Sequence, residues 1–171
     1  MILIIDTSSS KIRLCDGARR LEIEPGSQAA DLPALARDFL GGDRPTAIGV
    51  VTGPGSFTGL RLGIAFAKGL ALGWGVPLAG ISVFDLAAAA YGGKRVLAIA
   101  SGRGDYFVRG ADGGHSIEKG PPPNAVLIDD YDLAPGVDIV AARQSDSAPV
   151  IPLYIRPSYA DHAPAPRAKA S

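Results

Sequence analysis

Gly53-Pro54-Gly55-Ser56-Phe57-Thr58-Gly59-Leu60-Arg61 joins a short apolar run, Ala47-Ile48-Gly49-Val50-Val51-Thr52, to a longer one. Glycine, proline and serine at the junction predict a tight turn out of a strand, with Ser56 as the N-cap of a helix over about 57–72. In that helix small residues recur at every fourth position: Gly59, Gly63, Ala67 and Ala71. Leu60, Leu62, Ile64, Phe66, Leu70 and Leu72 fill most of the remainder. The charged residues are Arg61 and Lys68, seven apart and so on one face. A helix that is apolar nearly all round has to be buried nearly all round. Gly59, Gly63, Gly69 and Gly73 each cost about 1 kcal/mol relative to alanine. Close approach of a second helix is the expected compensation. The stretch therefore reads as a docking helix, with Phe57, Gly59, Leu60, Arg61, Gly63, Ile64, Ala67, Lys68 and Ala71 as candidate partner-binding residues.

Working outward, the chain before this helix reads as β-rich. Ile2 to Ile5 is a continuous apolar run, the pattern of a strand buried on both faces. Asp6-Thr7-Ser8-Ser9-Ser10 is turn chemistry. Lys11 to Cys15 and Leu21 to Glu24 alternate polar and apolar about an Asp16-Gly17 hairpin signal. Leu32, Leu35, Ala36, Phe39 and Leu40 form the stripe of an amphipathic helix, most simply a core face, ended by Gly41-Gly42. After the docking helix come a strand over 76–81 and a short helix capped by Ser82 and reaching about Tyr91. The order is βββαβαβα, an α/β layer with a mixed sheet. Beyond Gly93 the composition shifts. Strands are predicted over 95–100 and 105–109, with shorter ones over 125–128, 137–141 and 150–154, and with no helix of ten or more residues. The domain reading is a first lobe over 1–93, a reduced, strand-rich second lobe over 94–156, and a disordered tail over 157–171 rich in Ala, Pro and charge.

Bulk properties narrow the function. The chain has 171 residues, 17 Lys+Arg and 17 Asp+Glu. Zero net charge argues against a dedicated nucleic-acid binder, and two arginines, Arg103 and Arg109, do not make a basic patch. The single cysteine, Cys15, excludes an internal disulfide and a cysteine zinc site; it reads as a packed thiol. His115 and His162 are too far apart in sequence for an i, i+4 metal pair. No G-x-S-x-G occurs. No apolar run approaches the ~20 residues of a membrane span, and Met1-Ile2-Leu3-Ile4-Ile5 lacks a basic leader region. A cytoplasmic protein with no metal and no catalytic residue is the expectation.

Two loops invite a ligand reading. The turn at 53–59 lies between strand and helix, where phosphates bind. Yet its glycines do not make G-x-G-x-x-G, and Pro54 removes a donor. Asp6, Thr7 and Ser8 end a buried strand and are candidates for weak ATP or ADP binding. The competing reading is an Asx turn closed on its own backbone.

The motif around Gly53 to Gly63, followed by Ala67-Lys68-Gly69-Leu70-Ala71, closely resembles the signature of the TsaB (YeaZ) family. Ile4-Ile5-Asp6-Thr7-Ser8, Val76 to Ser82 and Pro152-Leu153-Tyr154-Ile155-Arg156-Pro157 resemble other family segments. The resemblance implies an actin-like (RNase H-like) fold with two lobes. It also implies a non-catalytic scaffold that partners the transferase TsaD and the ATPase TsaE. Those proteins together install threonylcarbamoyladenosine in tRNA, so that tRNA is met only through the complex and no membrane is involved. Homodimers through the same helical face are implied as well. The chain departs from the family pattern at Ser27-Gln28, where a His-Ser pair is frequent, and at Ala100, where an acidic residue is frequent. A reading of another class is an actin-like ATP-dependent phosphotransferase or hydrolase using Asp6, including the glycoprotease-like label.

Overall fold

A computed structural model describes residues 1–24, 26–92, 94–101, 104–143 and 149–155. The expected tail over 157–171, with His162, as well as Arg103 and the motif residue Arg156, lie outside the described residues.

The apolar N-terminal run forms β1 (Ile2–Asp6), followed by β2 (Ile12–Cys15) and β3 (Arg20–Ile23) as an antiparallel meander. After α1 (Gln28–Leu40), β4 (Ala47–Gly53) returns parallel to β1. Beyond α2 (Phe57–Trp74), β5 (Leu78–Ser82) lies parallel to β4. The first sheet is therefore five-stranded, in the order β3-β2-β1-β4-β5. α3 (Val83–Tyr91) follows β5 at once, with Ser82 and Asp85 forming a reciprocal capping box. This is the expected βββαβαβα order. The second sheet holds β6 (Leu97–Ala100), β7 (Asp105–Arg109), β8 (His115–Lys119) and β9 (Val126–Leu127), in the order β8-β7-β6-β9. α4 (Pro135–Arg143) closes the described order of elements.

Alternation along β1 and β4 sorts the core into two layers. Leu3, Ile5, Ile48 and Val50 face α1 and α2, meeting Leu32, Ala36, Leu40, Ile64, Ala67 and Ala71. Ile4, Ala47 and Val51 face the other way, with Leu86 of α3 and Val140 of α4. α3 is shared between the two sheets. Val83 and Leu86 join the back of the first sheet, while Phe84 and Ala87 pack with Leu97 and Ile128 of the second.

Three expectations are corrected. Residues 137–141 are helical, inside α4, and not a strand. Moreover α4 lies on the first sheet, not within the second, because Gly49 leaves room for it: a Cβ at Gly49 would stand 2.5 Å from Val140 Cγ2. Residues 150–154 form no strand; Leu153 N–H makes one bond, 2.7 Å, to the carbonyl of Thr52. The edge strand β8 was not anticipated.

The third correction concerns α2. Its inner face, Gly59, Leu60, Gly63, Ile64, Ala67 and Ala71, is buried by the chain itself. The close approach that compensates the glycines is made by the loop after β1. A Cβ on Gly59 would lie 2.0 Å from the Thr7 carbonyl oxygen, and one on Gly63 would lie 2.2 Å from Thr7 Oγ1. Gly69 and Gly73 approach nothing within 4 Å and stand exposed.

Candidate functional site

The tip of β1 is built around a buried carboxylate. Register places Asp6 directly opposite Arg13 on β2, so both side chains share one face of the sheet. Asp6 is 1% exposed. Its Oδ1 accepts from the Ser8 N–H at 2.8 Å, closing an Asx turn. Its Oδ2 accepts from Arg13 Nε at 3.0 Å, from Arg13 Nη2, and from the Tyr131 hydroxyl at 2.8 Å. Ser8 Oγ and Tyr131 Oη lie 2.8 Å apart. With the Tyr131 hydroxyl donating to Asp6, Ser8 donates to Tyr131. Arg13 also spans to the segment after β9, through Asp130 Oδ1 at 3.2 Å and the Tyr131 carbonyl at 3.1 Å. Its guanidinium carbon sits 4.1 Å from the centre of the Tyr131 ring.

The electrostatics follow from this enclosure. Burial, reinforced by the charge of Asp6, pushes the Tyr131 phenol far above its ordinary value, which keeps it a protonated donor. Burial is the largest influence on the Arg13 cation and disfavours it, but the charge and hydrogen bond of Asp6, with Tyr131 and Asp130, together outweigh it, and the net shift is upward. The arrangement is a neutralised ion pair with both carboxylate oxygens occupied. Thr7, 1% exposed, spends its hydroxyl on the Gly59 carbonyl at 2.7 Å. All three candidate nucleotide residues are thus engaged by their own chain. Among the described residues no group of three or more His, Cys, Asp or Glu is placed to hold a metal ion.

The candidate partner-binding residues divide. Gly59, Leu60, Gly63, Ile64, Ala67 and Ala71 are interior, and they hold α2 in place without reaching a surface. Phe57, Arg61 and Lys68 are exposed. Arg61 lies 3.7 Å from the centre of the Phe57 ring and donates through Nε to the Tyr154 hydroxyl at 3.0 Å. The Phe57 and Tyr154 rings stand 5.3 Å apart. The segment over 149–155 therefore clips onto the first turn of α2 through Tyr154. At the other end of the helix Leu72 is 87% exposed. Between α1 and α2 a groove of about 400 Å³ is lined by Pro33, Arg37, Leu40, Phe66, Leu70 and Trp74. Leu72, Tyr154 and Tyr131 were absent from the sequence-based candidates. Only Tyr154 carried a signal, through the C-terminal motif.

Comparisons with known proteins agree with this layout. The family model of TsaD, tRNA N6-adenosine threonylcarbamoyltransferase, matches residues 35–121. A protein of that name from Anaeromyxobacter dehalogenans (strain 2CP-1 / ATCC BAA-258) is 33% identical over 123 residues, covering 56% of this chain and 37% of the relative. The tRNA threonylcarbamoyladenosine biosynthesis protein TsaB of Escherichia coli (strain K12) is 35% identical over 116 residues, covering 60% of this chain and 50% of the relative. The chain spans half or less of the length of these curated relatives. Among solved structures, YeaZ from Pseudomonas aeruginosa superposes with a TM-score of 0.65 at 22% identity, over 90% of this chain and 99% of that one. A protein from the same organism described as similar to peptidase YEAZ gives 0.64 at 23%, over 91% and 99%. The fold is therefore that of YeaZ, the actin-like fold. With the family model covering residues 35–121, just over half of the chain, the chain belongs to the TsaD family that this model describes, and it shares its fold with the YeaZ structures.

Proposed function

We propose that this chain is a non-catalytic subunit that docks a TsaD-type transferase and so supports threonylcarbamoyladenosine formation in tRNA, with a TsaE-type ATPase in the same assembly. One observation carries the reading: α2 is covered by its own chain on the inside yet leaves Leu72 87% exposed on the outside. Phe57 and Tyr154, each 42% exposed, continue the surface at one end. The α1–α2 groove is a separate surface, since Leu70 and Trp74 stand about 200° round the helix axis from Leu72. A homologous fold offering a like pair of helices would cover this face by ridge-into-groove packing, with TsaD or with a second copy.

The sealed carboxylate supports the non-catalytic half of the reading. An ATP-dependent enzyme of this fold needs a free acid at the strand tip, and Asp6 has none of its oxygens free. The test is co-purification with the TsaD of the same organism, followed by nucleoside analysis of tRNA from a depleted strain. Wild type should co-purify and restore the modified nucleoside, and Leu72→Glu should do neither while melting as wild type. A monomeric wild type that ignores TsaD, or a Leu72→Glu that binds equally well, contradicts the reading. Calorimetry with magnesium ATP on wild type and Asp6→Ala separates the enzymatic alternative: micromolar binding lost in the variant would favour it.

A further inference from the structure

A cavity of about 910 Å³ opens between the edge strand β5 of the first sheet and the β7–β8 turn of the second. It shares no lining residue with the Asp6 network, and it borders the outer face of α2 only through Tyr154, which lines it and stacks on Phe57. Leu78 and Val150 contribute apolar wall, but the charges distinguish it. Among the described residues, Lys94, Arg95, Arg109 and Arg143 line it against a single carboxylate, Asp85.

Asp85 is held by the cap of α3 and sorts two of these cations. Arg109 Nη1 meets its Oδ1 at 3.2 Å and Arg143 Nη2 meets its Oδ2 at 3.1 Å. Arg143 Nη1 donates to the Gly80 carbonyl at 2.8 Å, and the Arg109 guanidinium lies 5.8 Å from the centre of the Phe84 ring. Both forks are oriented before any ligand arrives, with most of their five donors unused among the described residues. Lys94 and Arg95, at the mouth, make no hydrogen bond or ion pair among the described residues. Elsewhere Lys11, Arg19, Arg20 and Arg37 each have a carboxylate of their own. The overall charge is zero, yet a positive surplus collects in this concavity, where low-dielectric walls focus it.

We propose that this cavity binds a phosphate group, carried either by a small phosphorylated molecule or by an RNA backbone. A carboxylate brings one negative charge. A phosphate monoester brings close to two, and three acceptor oxygens, which match a site with a surplus of several cations and two planar forks. The proposal rests on the four cations and not on docking through α2, although Tyr154 borders both surfaces.

The probes are pyrophosphate, followed by calorimetry, and a fluorescein-labelled RNA of about 12 nucleotides, followed by anisotropy, at about 150 mM salt. Lys94→Gln/Arg95→Gln removes mouth charges that carry no structural contact. Arg109→Gln/Arg143→Gln removes the forks. Lys11→Gln/Arg20→Gln removes the same charge from remote surface. At least one probe should bind wild type, at least about tenfold more weakly to either cavity variant, and within about twofold to the remote control. Pyrophosphate binding that displaces RNA assigns the site to small phosphates, whereas RNA binding that pyrophosphate does not disturb assigns it to a backbone. The proposal is overturned if neither probe binds at millimolar concentration. It is also overturned if the mouth variant binds as wild type, or if the control loses as much as the cavity variants.

Discussion

Replacing Arg13 with Met tests the sealed strand tip. The side chain is 9% exposed and its partner Asp6 carboxylate 1%. The substitution keeps an unbranched apolar stem and removes the guanidinium. Asp6 loses two of its donors and keeps Ser8 N–H and the Tyr131 hydroxyl. Removing one partner of a buried pair leaves an uncompensated charge, at a cost of about 3–5 kcal/mol. The Asp130 bond adds little, because that carboxylate is 85% exposed. Against a total stability of about 5–15 kcal/mol, this is a large fraction. Asp6→Asn in the Arg13→Met background removes the stranded charge and should recover about 2 kcal/mol, whereas Asp6→Asn alone strands Arg13 and costs about 2 kcal/mol or more. The coupling from urea unfolding of the four proteins should therefore exceed about 2 kcal/mol. A coupling below about 0.5 kcal/mol, with Arg13→Met no worse than an ordinary surface change, would refute the claim that this pair is what neutralises the strand tip.

The glycines of α2 should separate by environment. Gly63→Ala places a Cβ 2.2 Å from Thr7 Oγ1 and should lower stability by about 1–2 kcal/mol despite the better helix former, whereas Gly69→Ala, with nothing within 4 Å, should raise it by about 0.5–1 kcal/mol; urea midpoints decide both. Cys15, fully buried and with its thiol pushed upward chiefly by burial, should resist a disulfide reagent at pH 8 in the native state and react at once in urea.

Much of the first sheet was legible because its strands and helices carry clean periods. The continuous run at 2–5, the alternation at 11–15 and the stripe from Leu32 to Leu40 each admit one reading. α4 was not, because Val137, Ile139 and Val140 are β-branched and favour a strand locally. What makes them helical is the back face of the first sheet, where Gly49 leaves a seat for Val140. In hindsight Leu133, Val137 and Val140 keep helical spacing. At the strand tip, Asp6 stood out in sequence but its environment did not. Tyr131 lies 125 residues away, and nothing local to either residue joins them. Arg13 was reachable: in a hairpin register it falls opposite Asp6 and forms a cross-strand charge pair.

The apolar, glycine-notched helix shows where a sound rule was carried too far. That such a helix must be covered is correct. The rule does not say by what. Here Thr7 sits in the notch made by Gly59 and Gly63, and its hydroxyl donates to the Gly59 carbonyl. The same loop turns back through Ser8 onto Asp6. The signature stretch and the strand tip are therefore one unit, in which the small residues let the helix reach the loop that presents the carboxylate. A change at Gly59 or Gly63 consequently acts on the fold before it acts on any partner, and loss of association in such a variant carries no information about docking. Only the outer residues separate the two effects. Burying one leucine contributes about 1.5–3 kcal/mol, and a standard interface needs about 800 Å² on each side. Leu72 alone does not hold a complex. Phe57 and Tyr154, each 42% exposed, have to be covered with it, which puts the length of α2 from its first turn to Leu72 under the same partner.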